Sequence, residues 1–407
     1  MRTVASRPVW RGRVLALVGI VLVAFSLRSA VAALSPVVAY VQQDFAVPAW
    51  MMGLIGTVPP VCFAVVGILT PALVRRFGLE QLATVVMLVI AGAIALRAFA
   101  PNGAVLLIGT VLIFVAAGAG NVVTPPLVKA YFPDRIGAMT SVYSAMLAVA
   151  AFVPPLVAVP VADAAGWRVS LGMWCVFALM AAVPWLALAR RRHSEVVEAG
   201  SPPPAVLRRL LRLPLAWALT VIFAASAATA YAAFAWLPQI LVDTAGIPAA
   251  EAGALLALFG AIAFPLALMV PVVVVRWRRP AIVYVVSALT GFAGVAGLVF
   301  APAAAPWLWV TLFAIPQALF SLVLVLMQLR ARTPEGIVGL SGFAQSVGYG
   351  IAAFVPLLFG LLHEATGDWA PPLFLYAALL ACAVPAGILV SRRDTVEDAW
   401  ERRHGAW

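Results

Sequence analysis

Phe25-Ser26-Leu27-Arg28-Ser29-Ala30-Val31-Ala32-Ala33-Leu34-Ser35-Pro36 lies inside an apolar run covering about 14–40. Arg28 is the only charge in that run and sits near its middle. A helix rises 1.5 Å per residue, which puts Arg28 about 21 Å from the start of the run. A run of this length is that of a membrane-spanning helix, which needs about 20 predominantly apolar residues. An arginine at mid-depth costs about 2.5–3.5 kcal/mol on insertion scales and more in simulations of an isolated helix. The run therefore predicts a span whose arginine faces protein or water, and the question is what it meets there.

The rest of the chain has the same character. Of 407 residues, 65% are hydrophobic and 10% charged, with mean hydropathy +1.08. Soluble domains do not carry that balance. Apolar stretches recur at about 14–41, 50–73, 80–99, 104–131, 138–161, 168–189, 215–242, 250–275, 281–301, 307–329, 338–362 and 371–390. The expectation is an all-α polytopic membrane protein with twelve transmembrane helices. The first run is too long for a signal-peptide core, and no cleavage site follows it. Most links are short. The long one, 190–214, holds Arg190-Arg191-Arg192 and Ser201-Pro202-Pro203-Pro204. It divides the chain into a six-helix bundle (1–189), a linker (190–214) and a second six-helix bundle with a short tail (215–407).

Charge placement sets the topology. All but three of the 26 Lys and Arg fall on the side of the termini. The exceptions are Arg28 in the membrane and Arg97 and Arg168 at the opposite rim. That opposite side holds Asp44, Asp163, Asp243, Glu251, Glu364 and Asp368. The positive-inside rule then puts both termini in the cytoplasm. The net charge of +11 is thus topogenic. It argues for contact with the lipid bilayer and against nucleic acid. Cys62, Cys175 and Cys382 lie in apolar runs without ligand-like spacing, so they are packing residues. No motif for a cofactor or metal is present, and a monomer is expected.

The two halves repeat. Ala150-Ala151-Phe152-Val153-Pro154 recurs as Ala352-Ala353-Phe354-Val355-Pro356, and Gly137, Ser144 and Trp167 match Gly339, Ser346 and Trp369 in the same register. Pro48-Ala49 and Gly53 likewise match Pro248-Ala249 and Gly253. Parallel repeats of this kind imply a central cavity that opens to each side in turn. The repeat puts Ala227 or Ala228 opposite Arg28, so the charge is not duplicated.

All fifteen acids fall in predicted loops, tails or helix ends. Arg28 therefore has no carboxylate in the membrane. Two roles stay open: bonding to carbonyls, a tyrosine or an amide, or serving as the fixed charge of an anion-binding cavity. The rigid guanidinium fork suits a small planar anion. The candidate substrate-binding set is Arg28, Asn121, Tyr143, Tyr231, Gln317, Gln345 and Tyr349. Asn and Gln in hydrocarbon should point inward, where interhelical bonding is the alternative role. His363 is a rim histidine. Gly118, Gly120, Gly348 and Gly350 permit close helix contact. Pro59-Pro60, Pro125-Pro126 and Pro154-Pro155 are expected to interrupt their helices. Arg75, Arg76, Lys129, Asp134 and Arg135 form a candidate cytoplasmic gate, or plain topogenic anchors. Three scattered histidines and no intramembrane acid exclude an enzyme.

Two six-span halves with the basic turn Gly67…Arg75-Arg76-Phe77-Gly78 resemble the major facilitator superfamily, although Arg75 stands where that family has an aspartate. Leu27-Arg28, Gly120-Asn121-Val122-Val123-Thr124-Pro125, the block from Lys129-Ala130-Tyr131-Phe132 through Tyr143, and Leu340-Ser341-Gly342-Phe343-Ala344-Gln345 are similar to the cyanate and nitroimidazole transporter family. The resemblance implies a bacterial inner-membrane secondary transporter of small solutes. With Arg28 it favours a small organic or inorganic anion. The alternative is an exporter or facilitator of neutral small aromatic compounds.

Overall fold

The computed structural model describes residues 13–132, 134–190, 204–391 and 394–404. Among them, twelve helical stretches are long and apolar enough to cross a membrane. Spans 1 to 6 are Arg13–Ala32, Ala49–Phe77, Leu79–Ala98, Gly103–Tyr131, Ile136–Ala165 and Trp167–Ala189. Spans 7 to 9 are Pro214–Ala245, Ala249–Pro271 and Pro280–Phe300. Span 10 is Pro306–Leu329, span 11 joins Pro334–Ala352 to Phe354–Thr366, and span 12 is Ala370–Ser391. Gly246 and Gly367 adopt the left-handed backbone that ends a helix without a Cβ penalty, closing spans 7 and 11. Asn102 and Thr333 cap spans 4 and 11, accepting from Val105 N and Gly336 N at 3.0 Å.

Prolines act where the chain also needs a break. Span 1 stops at Ala32 and resumes as a 3-10 turn over Ser35–Val37. Pro36 lacks an N–H and its ring crowds the carbonyl one turn back. Span 10 is divided the same way by Ile315–Gln317 around Pro316. By contrast, the helices run unbroken through Pro59-Pro60, Pro125-Pro126 and Pro154-Pro155, against expectation. At Pro155 a neighbouring helix comes up against the freed carbonyl. Pro155 cannot bond Ala151 O, and that carbonyl faces Gly260 of span 8, where a Cβ would come within 2.9 Å.

Call the end of the bundle carrying Arg13 and Ser391 the termini face, and the other the far face. The two sets of six spans meet tightly toward the far face. A Cβ at Gly53 would sit 2.9 Å from Leu357 Cα, one at Gly56 would meet Pro356 and Ala235, and one at Gly360 would lie 2.9 Å from Ala49 O. Gly253 lies equally close to Pro155 O. Ser35 Oγ donates to Phe234 O at 2.6 Å, tying span 1 to span 7. Glycine at these seams lets backbones approach as bulkier residues would not. Gly118, Gly120 and Gly348 also receive neighbours, but nothing lies within 4 Å of a Cβ at Gly350.

Two further helices lie on the termini face. Part of the linker, Pro204–Leu210, is helical, with Val206 and Leu210 buried against Gly339. Residues 191–203 of the linker lie outside the described set. Val396–His404 forms a C-terminal helix that docks on the loop between spans 10 and 11. Glu397, fully buried, accepts from Arg332 N (2.9 Å), Thr333 N (3.0 Å) and Thr333 Oγ1 (2.9 Å). Arg332 answers with Asp398 and Glu401 at 3.1 and 2.8 Å.

Candidate functional site

A cavity of about 370 Å³ lies between the two sets of spans. Spans 1, 5, 7, 8, 10 and 11 line it, and Ala145, Leu268 and Leu324 extend it toward the termini face. Arg28 faces into it. Span 1 presents that side chain as the adjacent Leu27, about 100° round the helix, packs into the space left by Gly120 of span 4. The Tyr231 and Tyr349 side chains line the cavity with the guanidinium, and Tyr231, Tyr349 and Tyr143 all lie within its electrostatic reach. No Asp or Glu is among the lining residues. The tyrosines put hydroxyls near the guanidinium but supply no counter-charge.

Aromatic rings wall the site. Phe63 meets Tyr349 and Tyr231 at centroid distances of 5.8 and 6.4 Å, and Phe223 meets Tyr349 at 4.9 Å. These are edge-on contacts in the favourable range. Phe234, Phe264 and Phe320 complete the apolar lining. The site thus pairs one fixed cation with flat apolar surfaces, which suits a planar solute carrying one negative end.

Four of the seven candidate side chains, Arg28, Tyr231, Gln317 and Tyr349, share the cavity. Gln317 is partly committed to the fold, since its Nε2 donates to Phe259 O at 2.8 Å and Ala314 O at 3.2 Å, bracing the break in span 10. Tyr143 donates to Asn121 Oδ1 at 3.5 Å, a pair beside Arg28 and outside the cavity lining. Gln345, one turn before Tyr349, is half-buried and also outside that lining. Ala227, opposite Arg28 in the repeat, does line it. Ser226 and Ser321 add hydroxyl-bearing residues.

The candidate gate residues lie on the termini face. Asp134 pairs with Arg13 at 3.0 Å, tying span 1 to the loop after span 4, and with its neighbour Arg135 at 3.9 Å. Arg13 is the first cause outside the carboxyl's own loop that holds Asp134 below the usual carboxylate range, after a backbone hydrogen bond within Asp134 itself. Arg76 lies over the Phe77 ring at 5.5 Å, and Lys129 is exposed. The Arg75 side chain lies outside the described set. His363 stacks on Trp369 at 3.8 Å near the far face, away from the cavity. Among the described residues no cluster of His, Cys, Asp or Glu could hold a metal.

Arg97 departs from expectation. The sequence puts it at the exposed rim, yet it is 1% exposed. Its stem crosses Gly109, where a Cβ would meet Arg97 Cβ at 3.0 Å, and its Nη1 donates to Ala30 O at 3.1 Å. The glycine in span 4 was the available signal, but only contact geometry shows what it accommodates.

Two bundled sets of six spans around one polar-centred cavity define a membrane carrier. The chain belongs to the major facilitator superfamily, whose model matches residues 20–355. Among curated relatives it is similar to the 2-nitroimidazole transporter of Escherichia coli (strain K12), 31% identical across 94% of this chain and 96% of that protein. It also resembles the cyanate transport protein CynX of the same organism, 24% identical over 86% of this chain and 91% of that protein. These place it with the cyanate and nitroimidazole transporters, and the chain is a transporter, not an enzyme. The fold matches a bacterial homologue of the human lysosomal transporter Spinster, solved inward-facing and unoccupied. The TM-score is 0.73 at 15% identity, covering 96% of this chain and 98% of that one.

Proposed function

We propose that this transporter carries a small planar organic or inorganic anion by alternating access, with Arg28 as the fixed charge that binds it. The observation that carries the proposal is Arg28 facing a 370 Å³ cavity whose lining includes no acid. A guanidinium stays protonated in proteins. Unpaired in a cavity of low dielectric, it is stabilised most by an anionic guest. Cyanate, named for one relative, is such an anion. The halves 1–189 and 215–407 rock about the cavity, with the far-face glycine seams closed in the form described above. Charge bias supports a bacterial inner-membrane protein with both termini cytoplasmic. The chain acts as a monomer.

Uptake into proteoliposomes across a panel of weak acids tests this. Arg28→Ala should abolish anion uptake, and Arg28→Lys should retain part of it while losing the paired-donor geometry. Undiminished transport by Arg28→Ala would sink the anion site. The second reading is export or facilitation of a neutral aromatic such as a nitroheterocycle. The ring walls at Phe63, Phe234, Phe320 and Tyr349 favour it, as does the name of the 2-nitroimidazole relative. In that case a resistance assay responds, and Tyr231→Ala is more damaging than Arg28→Ala.

A further inference from the structure

Arg97 is the second last residue of span 3 and is buried among spans 1, 2, 4 and 7. Its side chain lines a separate cavity of about 20 Å³ with Ala30, Ser35, Thr110, Phe114 and Tyr231. One guanidinium nitrogen is used, in the bond to Ala30 O. Nε and Nη2 are buried with no hydrogen-bond partner among the described residues. No carboxylate lines the space.

Leaving buried donors unmet costs about 1–3 kcal/mol each, and more for a charged group. The guanidinium cannot discharge itself by losing a proton. A cavity of more than about 10–15 Å³ admits one water-sized guest. Water would meet the donors but not the charge. The charge matters doubly here, because Ala30, to which Arg97 is tethered, is two residues from Arg28. Two cations thus flank the same stretch of span 1 without an acid between them. Tyr231 and Phe234, one turn apart on span 7, line both this cavity and the large one.

We infer that the Arg97 cavity is a second anion site, holding one chloride-sized monovalent anion in series with the Arg28 cavity. The site needs no assumption about what the larger cavity carries. It lies toward the far face, beside the Ser35–Phe234 tie between spans 1 and 7, so opening that face would release its anion.

Bromide is the probe. Full-length protein crystallised with sodium bromide should show an anomalous peak within hydrogen-bonding reach of Arg97. In parallel, melting temperature is compared in sodium bromide and sodium gluconate at equal ionic strength. A ligand that binds only the folded state raises it. The wild type and Arg28→Gln should gain a few degrees from bromide, and Arg97→Gln should gain none. Thr110→Val, which keeps the charge and alters the wall, should weaken the gain and serves if Arg97→Gln fails to fold. A peak at Arg28 alone overturns this site and leaves the transport reading intact. A peak at Arg97 alone supports the site and counts against Arg28 as the anion ligand. No peak at Arg97, or the same bromide gain in Arg97→Gln and Thr110→Val as in the wild type, overturns the inference.

Discussion

Trp167 Nε1 donates to Asp44 at 3.1 Å, and Trp369 Nε1 donates to Asp243 at 2.9 Å. Each pair ties the start of the last span of its half to the end of the first: Asp44 lies in the loop after span 1, and Asp243 lies in the last turn of span 7. Yet the surroundings differ. Trp167 is followed by Arg168, which sits over its ring at 4.4 Å and also pairs with Asp44. Trp369 is followed by Ala370 and stacks on His363 instead. The Trp–Asp side-chain ties are duplicated across the halves while the arginine beside one of them is not, and Arg28 opposite Ala227 is the same asymmetry at the cavity. Helix packing must be satisfied in both halves, whereas the proposed anion needs its charge read only once.

The largest test of that asymmetry moves the charge. Arg28→Ala should lower anion uptake by about two orders of magnitude, since a charged hydrogen bond contributes about 1.5–3 kcal/mol and the fork offers two. Adding Ala227→Arg, from the matching lining position, should recover a measurable part of the loss. Full rescue would mean that cavity charge alone suffices. No rescue, with folded protein confirmed by gel filtration, would mean that Arg28, Tyr231 and Tyr349 are required as a unit.

The loops after spans 4 and 10 give a second contrast. The first is tied by the exposed Arg13–Asp134 pair, the second by Glu397 buried under the C-terminal helix. Exposed pairs contribute little, whereas removing Glu397 strands two backbone N–H groups. Glu397→Ala should destabilise by about 2 kcal/mol, read as a clear drop in melting temperature and as faster proteolysis near Arg332. Asp134→Ala should leave both readouts unchanged. Equal effects would erase the distinction between the loops.

Much of this was legible in order along the chain. Apolar run length located all twelve spans, and the positive charges marked one face. A fixed register of small residues and tryptophans found the repeat that the Trp–Asp ties now embody. Arg28 was visible as a charge in an apolar run, but its direction was not, because that depends on Gly120 receiving Leu27. Arg97 was misplaced for a related reason. A residue near a helix end has the same sequence context whether it snorkels outward or turns in beneath Ala30. Gln345 looked equivalent to Tyr349 by helical spacing, yet the cavity boundary falls between them. The C-terminal helix was missed because it is short, polar and defined only by what Glu397 reaches.

The smallest expected effect returns to the tryptophan ties. Trp167→Phe and Trp369→Phe each remove one donor, about 1 kcal/mol, and should lower melting temperature by a few degrees to similar extents. The charge next to only one of them separates them by pH. Arg168 first, then Trp167, hold the Asp44 carboxyl below the usual carboxylate range. A carboxylate depressed in the folded state adds stability above its unfolded value, about 4, and that stability is lost as pH falls through the folded value. The melting-temperature gap between wild type and Asp44→Asn should therefore be present at pH 7 and shrink as pH drops below about 4. Arg168→Ala should narrow the gap at neutral pH while leaving the Trp167 bond in place. A gap that is independent of pH, or that Arg168→Ala does not change, would reduce the Asp44 tie to a tryptophan–aspartate bond that Arg168 does not strengthen.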